Sequence, residues 1–127
     1  MANNTSSNNR QVHLLEVIGR IDGSKPLILA GALEKALAQG RSQLILDLSR
    51  VEYMNSAGLR ELFQLLQYIR KNGGILKIAN PAERVKKLLE MVGLDTVIEI
   101  YFDSALGLAS HPRAGEFAVA REICYYV

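Results

Sequence analysis

The sequence predicts an α/β domain: a mixed, largely parallel sheet with about four helices packed against it. Three observations carry that class. Short apolar runs of strand type alternate with segments of 3.6-residue apolar spacing. The run "LILDL" is too continuously apolar for a strand that is wet on one face. Gly or Pro punctuates most junctions between the two kinds of segment.

The elements follow in order. Residues 1–11 read as a flexible, Asn- and Ser-rich lead. "VHLLEVIG", residues 12–19, is the first strand, closed by the turn-like "DGS" at 22–24. "KPLILAGALEKALAQG" is a helix, with Pro26 in its first turn and Gly40 as its stop. Leu29, Leu33, Ala36 and Leu37 form its buried face. Residues 42–49 are a buried strand. A helix over about 57–71 follows, with Leu59, Leu62, Phe63, Leu66 and Ile69 inward. Arg60, Glu61, Gln64, Gln67, Arg70 and Lys71 fill its other face. "ILKIA", 75–79, is the next strand. In "NPAE", Asn80 can cap a helix and Glu83 can complete a capping box. Val85, Leu88, Leu89 and Val92 would be that helix's buried stripe. "TVIEIY", 96–101, reads as a strand, and Asp103 caps a short helix to about Ala109. The domain is thus expected over 12–110, with 111–127 as a C-terminal extension beginning in the linker "SHPRAG".

Composition narrows function. The chain has 127 residues, a net charge of +2 and one cysteine, Cys124. That length suits one domain with a core that needs no disulfide. A lone cysteine fits a reducing, cytoplasmic setting. The small basic excess, without a basic run interleaved with aromatics, argues against direct nucleic-acid binding. No apolar stretch reaches the length that membrane insertion requires. The polar start "MANNTSSNNR" does not read as a signal peptide.

Chemistry concentrates at "MNSAGLREL", residues 54–62. Ser56 stands where a strand hands over to a helix, and it reads as an N-cap, a nucleophile or a modification site. A nucleophile elbow requires Gly where Met54 stands. The imidazoles, His13 and His111, fall in a strand and a linker, which argues against a Ser–His hydrolase. No phosphate-loop motif and no metal-ligand spacing is present, so no cofactor or metal is expected. Asp22 and Asp47 lie at strand ends, where they serve either as solvated turn residues or as neighbours of Ser56. Arg60, Arg70, Lys71, Arg84, Lys86 and Lys87 lie on polar helix faces, as solvated surface or as a partner surface.

"LILDLSRVEYMNSAGLREL" resembles the signature of STAS domains of the anti-sigma-factor antagonist family. "GRIDGS" resembles the family's Gly-x-Leu/Ile-Asp turn, and "NGGILKIANPAERVKKLLEMVGLDTVIEIYFDSALGLA" resembles its remainder. The resemblance implies a STAS-like sheet and a non-enzymatic, cytoplasmic phosphoprotein that regulates transcription by partner switching. Such a protein binds an anti-sigma factor that is also a serine kinase. It is released when that kinase phosphorylates the motif serine, and a serine phosphatase resets it. The matching serine is Ser56, flanked by the partner-binding positions Asp22, Asn55, Ala57, Gly58 and Leu59. Two further readings stand beside it: a STAS scaffold subunit of another partner-switching or stressosome-like assembly, and an accessory subunit of a membrane transporter. The sequence departs from the family in two places. Asn55 replaces the usual Asp, and "MANNTSSNNR" holds no counterpart of the usual first strand. The extension "EFAVAREICYYV" is either a loosely ordered tail or a cover for the sheet edge so exposed, within the chain or across a homodimer.

Overall fold

The computed structural model describes residues 12–102 and 119–126. Its elements are β1 (Val12–Ile21), α1 (Pro26–Ala38), β2 (Gln43–Met54), α2 (Ser56–Lys71), β3 (Ile75–Ala79), α3 (Glu83–Met91), a 3-10 turn (Leu94–Thr96), β4 (Ile100–Tyr101) and β5 (Val119–Tyr126). The sheet has the order β4-β3-β2-β1-β5, and every neighbouring pair is parallel. The class is α/β, with three α-helices among the described residues. The expected lead over 1–11, helix over 103–109, linker at 110–115 and residues His111 and Phe117 lie outside those residues.

Chain order explains the layering. β1, β2, β3 and β4 step across the sheet in one direction. Right-handed crossovers then place α1, α2 and α3 on the same face. Their buried residues join one core: Leu29 and Leu33 from α1, Leu62, Leu66 and Ile69 from α2, Val85 and Leu89 from α3. From the sheet it takes Leu15, Val17, Leu44, Leu46, Leu76 and Ile78, which alternate along their strands as a pleat requires. Val12, Leu14, Ile45 and Ala79 form a smaller cluster on the opposite face. β5 pairs along β1 from Val12↔Val119 to Gly19↔Tyr126, so β1 is an interior strand.

Several expectations are corrected. β2 runs five residues past Ser49, to Met54. Its register on β1 shifts twice: Glu16↔Asp47 is followed by Ile18↔Arg50, and Gly19↔Val51 by Arg20↔Tyr53. Each shift gives β2 an extra residue, and this breaks the period-2 pattern that marks a strand. The strand expected over 96–101 shrinks to Ile100–Tyr101, because Leu94–Thr96 continue as a 3-10 turn and Thr96 Oγ1 donates to the Gly93 carbonyl at 2.6 Å. Asn80 caps nothing. It takes φ +51 and its N–H donates to the Tyr101 carbonyl, so its backbone still belongs to the sheet and α3 begins after Ala82. Phe63 and Val92, expected in the core, are 43% and 57% exposed, whereas Glu61, expected outside, is only 6% exposed.

Candidate functional site

The junction of β2 and α2 is fixed by three contacts. Asn55, in extended backbone, is the N-cap: its Oδ1 accepts from Gly58 N–H at 3.0 Å and its carbonyl accepts from Leu59 N–H at 2.9 Å. Ser56 is therefore the first helical residue and not the cap. The amide oxygen of Asn55 reaches the third N–H of the helix, the bond a capping Ser would otherwise make.

Gly58 supplies the second contact. A β-carbon there would sit 2.0 Å from the Ile21 carbonyl oxygen and 3.1 Å from Met54 Cγ. Only glycine lets α2 start so close to the end of β1. Gly23 supplies the third. Its φ is +84, and a β-carbon there would lie 2.6 Å from Ala57 Cβ. The turn after β1 is thus folded tightly against the start of α2.

That turn holds Asp22. Asp22 Oδ1 accepts from the Ser24 hydroxyl at 2.6 Å and from Ser24 N–H at 3.0 Å. These bonds, the hydroxyl's first, hold the Asp22 carboxyl below the usual carboxylate range. Asp47 is elsewhere. It is buried in the middle of β2, opposite Glu16 and Ala79, where its Oδ1 accepts from Ser49 N–H at 2.9 Å beside the first register shift. The structure therefore brings together Asp22, Asn55, Ser56, Ala57, Gly58 and Leu59 at the carboxyl ends of β1 and β2, and leaves Asp47 out.

Ser56 is exposed and lies on the rim of a groove of about 370 Å³. Leu59, Phe63, Val92, Leu94 and Val97 give it apolar walls, and Arg60 gives it its one positive charge. Ser56, Arg60 and Phe63 lie at i, i+4 and i+7 on α2, a spacing that the sequence already held. Arg70 and Lys86 line a different cleft, and Arg84 a third. The groove residues Phe63 and Val92 are hidden in the sequence because an apolar residue at helical spacing reads as core, and Val97 because its run reads as a strand. Exposure at 39–57% is what separates them.

The family model for the STAS domain matches residues 6–106. This chain belongs to the STAS domain family. The anti-sigma-B factor antagonist of Bacillus subtilis is 32% identical to this STAS domain over 94 residues, which cover 74% of this chain and 85% of the relative. Two solved structures share the fold. A Thermotoga maritima protein assigned as an anti-sigma factor antagonist matches with a TM-score of 0.66 and 23% identity, over 75% of this chain and 82% of its own. A sulfate transporter family protein from Wolinella succinogenes matches with a TM-score of 0.71 and 20% identity, over 83% and 88%. Among the described residues of this STAS domain, no helix is long and apolar enough to cross a membrane.

Proposed function

We propose that this STAS domain is an anti-sigma-factor antagonist that binds an anti-sigma serine kinase and is switched off by phosphorylation of Ser56. The observation that carries the reading is the exposed Ser56 hydroxyl on the rim of an apolar groove, at the first residue of α2. A partner's apolar side chain fills such a groove when water is excluded around it. A phosphoryl group on Ser56 brings a charge of about −1.5 to −2 to that rim. Within the domain the charge is tolerated, since the start of α2 presents backbone N–H groups and the positive end of the helix dipole. Arg60, one turn further on, adds a guanidinium within the reach of an i, i+4 pair. Across a dry interface the same charge is costly, and a loss of about 1.4 kcal/mol already weakens binding tenfold. The domain therefore keeps its fold and loses its partner, and a serine phosphatase restores the binding form.

Asn55 favours a second reading. Without the family's acid beside the hydroxyl, the domain serves as a scaffold whose contacts do not depend on phosphate. The test uses the kinase recovered on this chain from native extract. Ser56→Asp is expected to weaken its binding at least about tenfold with an unchanged melting temperature, and Ser56→Ala is expected to bind but take up no phosphate. Phosphate found mainly on another residue would sink the switch. Equal binding by the native chain and Ser56→Asp would leave the scaffold.

A further inference from the structure

The Ser56 groove has one charged wall residue. Leu59, Phe63, Val92, Leu94 and Val97 line it with Ser56 and Arg60, and no carboxylate joins them. Arg60 is exposed, and among the described residues it has no hydrogen-bond or ion-pair partner. Its own helix offers it no acid. The positions three and four residues away on α2 are Ser56, Ala57, Phe63 and Gln64, where an acid would have paired with it. Arg70, near the other end of α2, is engaged by the fold, since it donates to the Val97 carbonyl. Arg60 is left at the rim of an apolar groove, one turn from the Ser56 hydroxyl.

The walls of the groove also restrict what fills it. Leu59 and Phe63 come from α2, Val92 follows α3 and Leu94 opens the 3-10 turn. Backbone groups in helical walls are bonded within their own helices, so an occupant cannot enter here as an added strand. It engages through side chains, as an amphipathic helix does when it lies in a groove. Its apolar stripe answers the walls, and an acidic residue beside the stripe answers Arg60.

Resting on the switch proposed above, we propose that Arg60 selects an acidic amphipathic helix of the kinase as the occupant of this groove, and that a phosphoryl group on Ser56 diverts the same guanidinium. With Ser56 unmodified, Arg60 pairs with a carboxylate of the docked helix. With Ser56 phosphorylated, the phosphoryl oxygens lie within i, i+4 reach of Arg60 and compete for its fork of donors. The partner then loses its counter-charge in addition to meeting the negative charge of the phosphate. Arg60 thereby sets both which helix binds and how strongly the modification of Ser56 is felt.

The test titrates the isotope-labelled full chain with a synthetic leucine–glutamate amphipathic helix of about 18 residues, and with its leucine–lysine counterpart. The glutamate peptide is expected to shift the backbone amides of 56–63 and 92–97, and the lysine peptide is not. Arg60→Ala should weaken the glutamate peptide several-fold, and Arg60→Glu should reverse the preference between the two. Ser56→Asp should weaken the glutamate peptide as well. That loss should shrink at least about threefold in the Arg60→Ala background, because the guanidinium to be diverted is already gone. A purely structural role for Arg60 would not produce such coupling. The proposal is overturned if neither peptide binds, if both bind alike, if the shifts fall elsewhere, or if Ser56→Asp costs as much without Arg60 as with it, which would leave repulsion alone. Such a failure with phosphate still found on Ser56 would remove Arg60 and keep the switch. Phosphate placed by the recovered kinase on another residue would instead remove the switch, and the diversion of Arg60 with it.

Discussion

The starts of α2 and α3 solve the same problem in different ways. Each helix follows a strand and leaves N–H groups in need of partners. At α2, Asn55 caps with its side chain, Gly58 admits the Ile21 carbonyl and Gly23 folds against Ala57. At α3, the cap position is Ala82, with no side-chain bond. The first start is specified three times over and carries Ser56, the proposed phosphorylation site. The second is held by little more than the buried Val85 and Leu89 behind it. The proposed switch needs its hydroxyl held in one place, and of the two helix starts the first offers the more rigid base.

The sharpest way to break the comparison is Gly58→Ala. The new β-carbon cannot coexist with the Ile21 oxygen 2.0 Å away, and that atom is backbone, which cannot swing aside. Overpacking of this kind costs about 3 kcal/mol or more. For a domain near this size that lowers Tm by roughly 10–20 °C. A melt within a few degrees of the native chain would show that α2 can slide along β1, and that its start is less fixed than the contacts indicate.

Asn55→Ala removes the cap alone and is expected to cost about 1 kcal/mol by chemical denaturation. Asn55→Asp keeps an oxygen at the same place, so it should retain stability. By restoring the family's acid it should also change the rate of Ser56 phosphorylation by the recovered kinase. Identical phosphorylation kinetics for the native chain and the Asn55→Asp variant would remove this position from the control of the switch.

The opposite manipulation strengthens the weaker start. Ala82 already has the extended ψ of a cap, 154°, and its carbonyl accepts from Lys86 N–H at 2.8 Å. Ala82→Asp needs only the side-chain oxygen and should add about 0.5–1 kcal/mol, read as a raised midpoint in urea. No gain would mean that the free N–H groups of α3 are already as well solvated as a cap would leave them.

The layered α/β class is legible because it depends on local rules, whereas the set of residues around Ser56 is implied by the resemblance to the family motif, since strand-end position alone offers Asp47 as readily as Asp22. Buried runs such as "LILDL" and the inward face of α1 need only periodicity. What escaped depended on neighbours distant in the chain. The end of β2 was obscured by register shifts against β1. The start of α3 was misplaced because Asn80 remains bonded to Tyr101 across the sheet. Asn55 and Ser56 are both good capping residues, and propensity alone does not rank them. The Ser56 groove went unseen because Phe63, Val92 and Val97 have core chemistry and lack only a covering layer.

The smallest expected effect concerns the turn that braces α2. Asp22 is held below its ordinary range chiefly by the Ser24 hydroxyl, then by Ser24 N–H. A carboxyl lowered on folding stabilises the native state above its unfolded pKa, about 3.9 for Asp. That stabilisation disappears as the pH falls through the folded value. Asp22→Asn keeps an oxygen for Ser24 but removes the charge. The native chain should therefore melt slightly above the variant at neutral pH, and the gap should close below about pH 4. Because the carboxyl is exposed to solvent, the gap should be small and should shrink further in molar salt. A gap independent of pH would mean that the turn is held by shape alone, through Gly23 against Ala57, and that the charge of Asp22 is left for a partner.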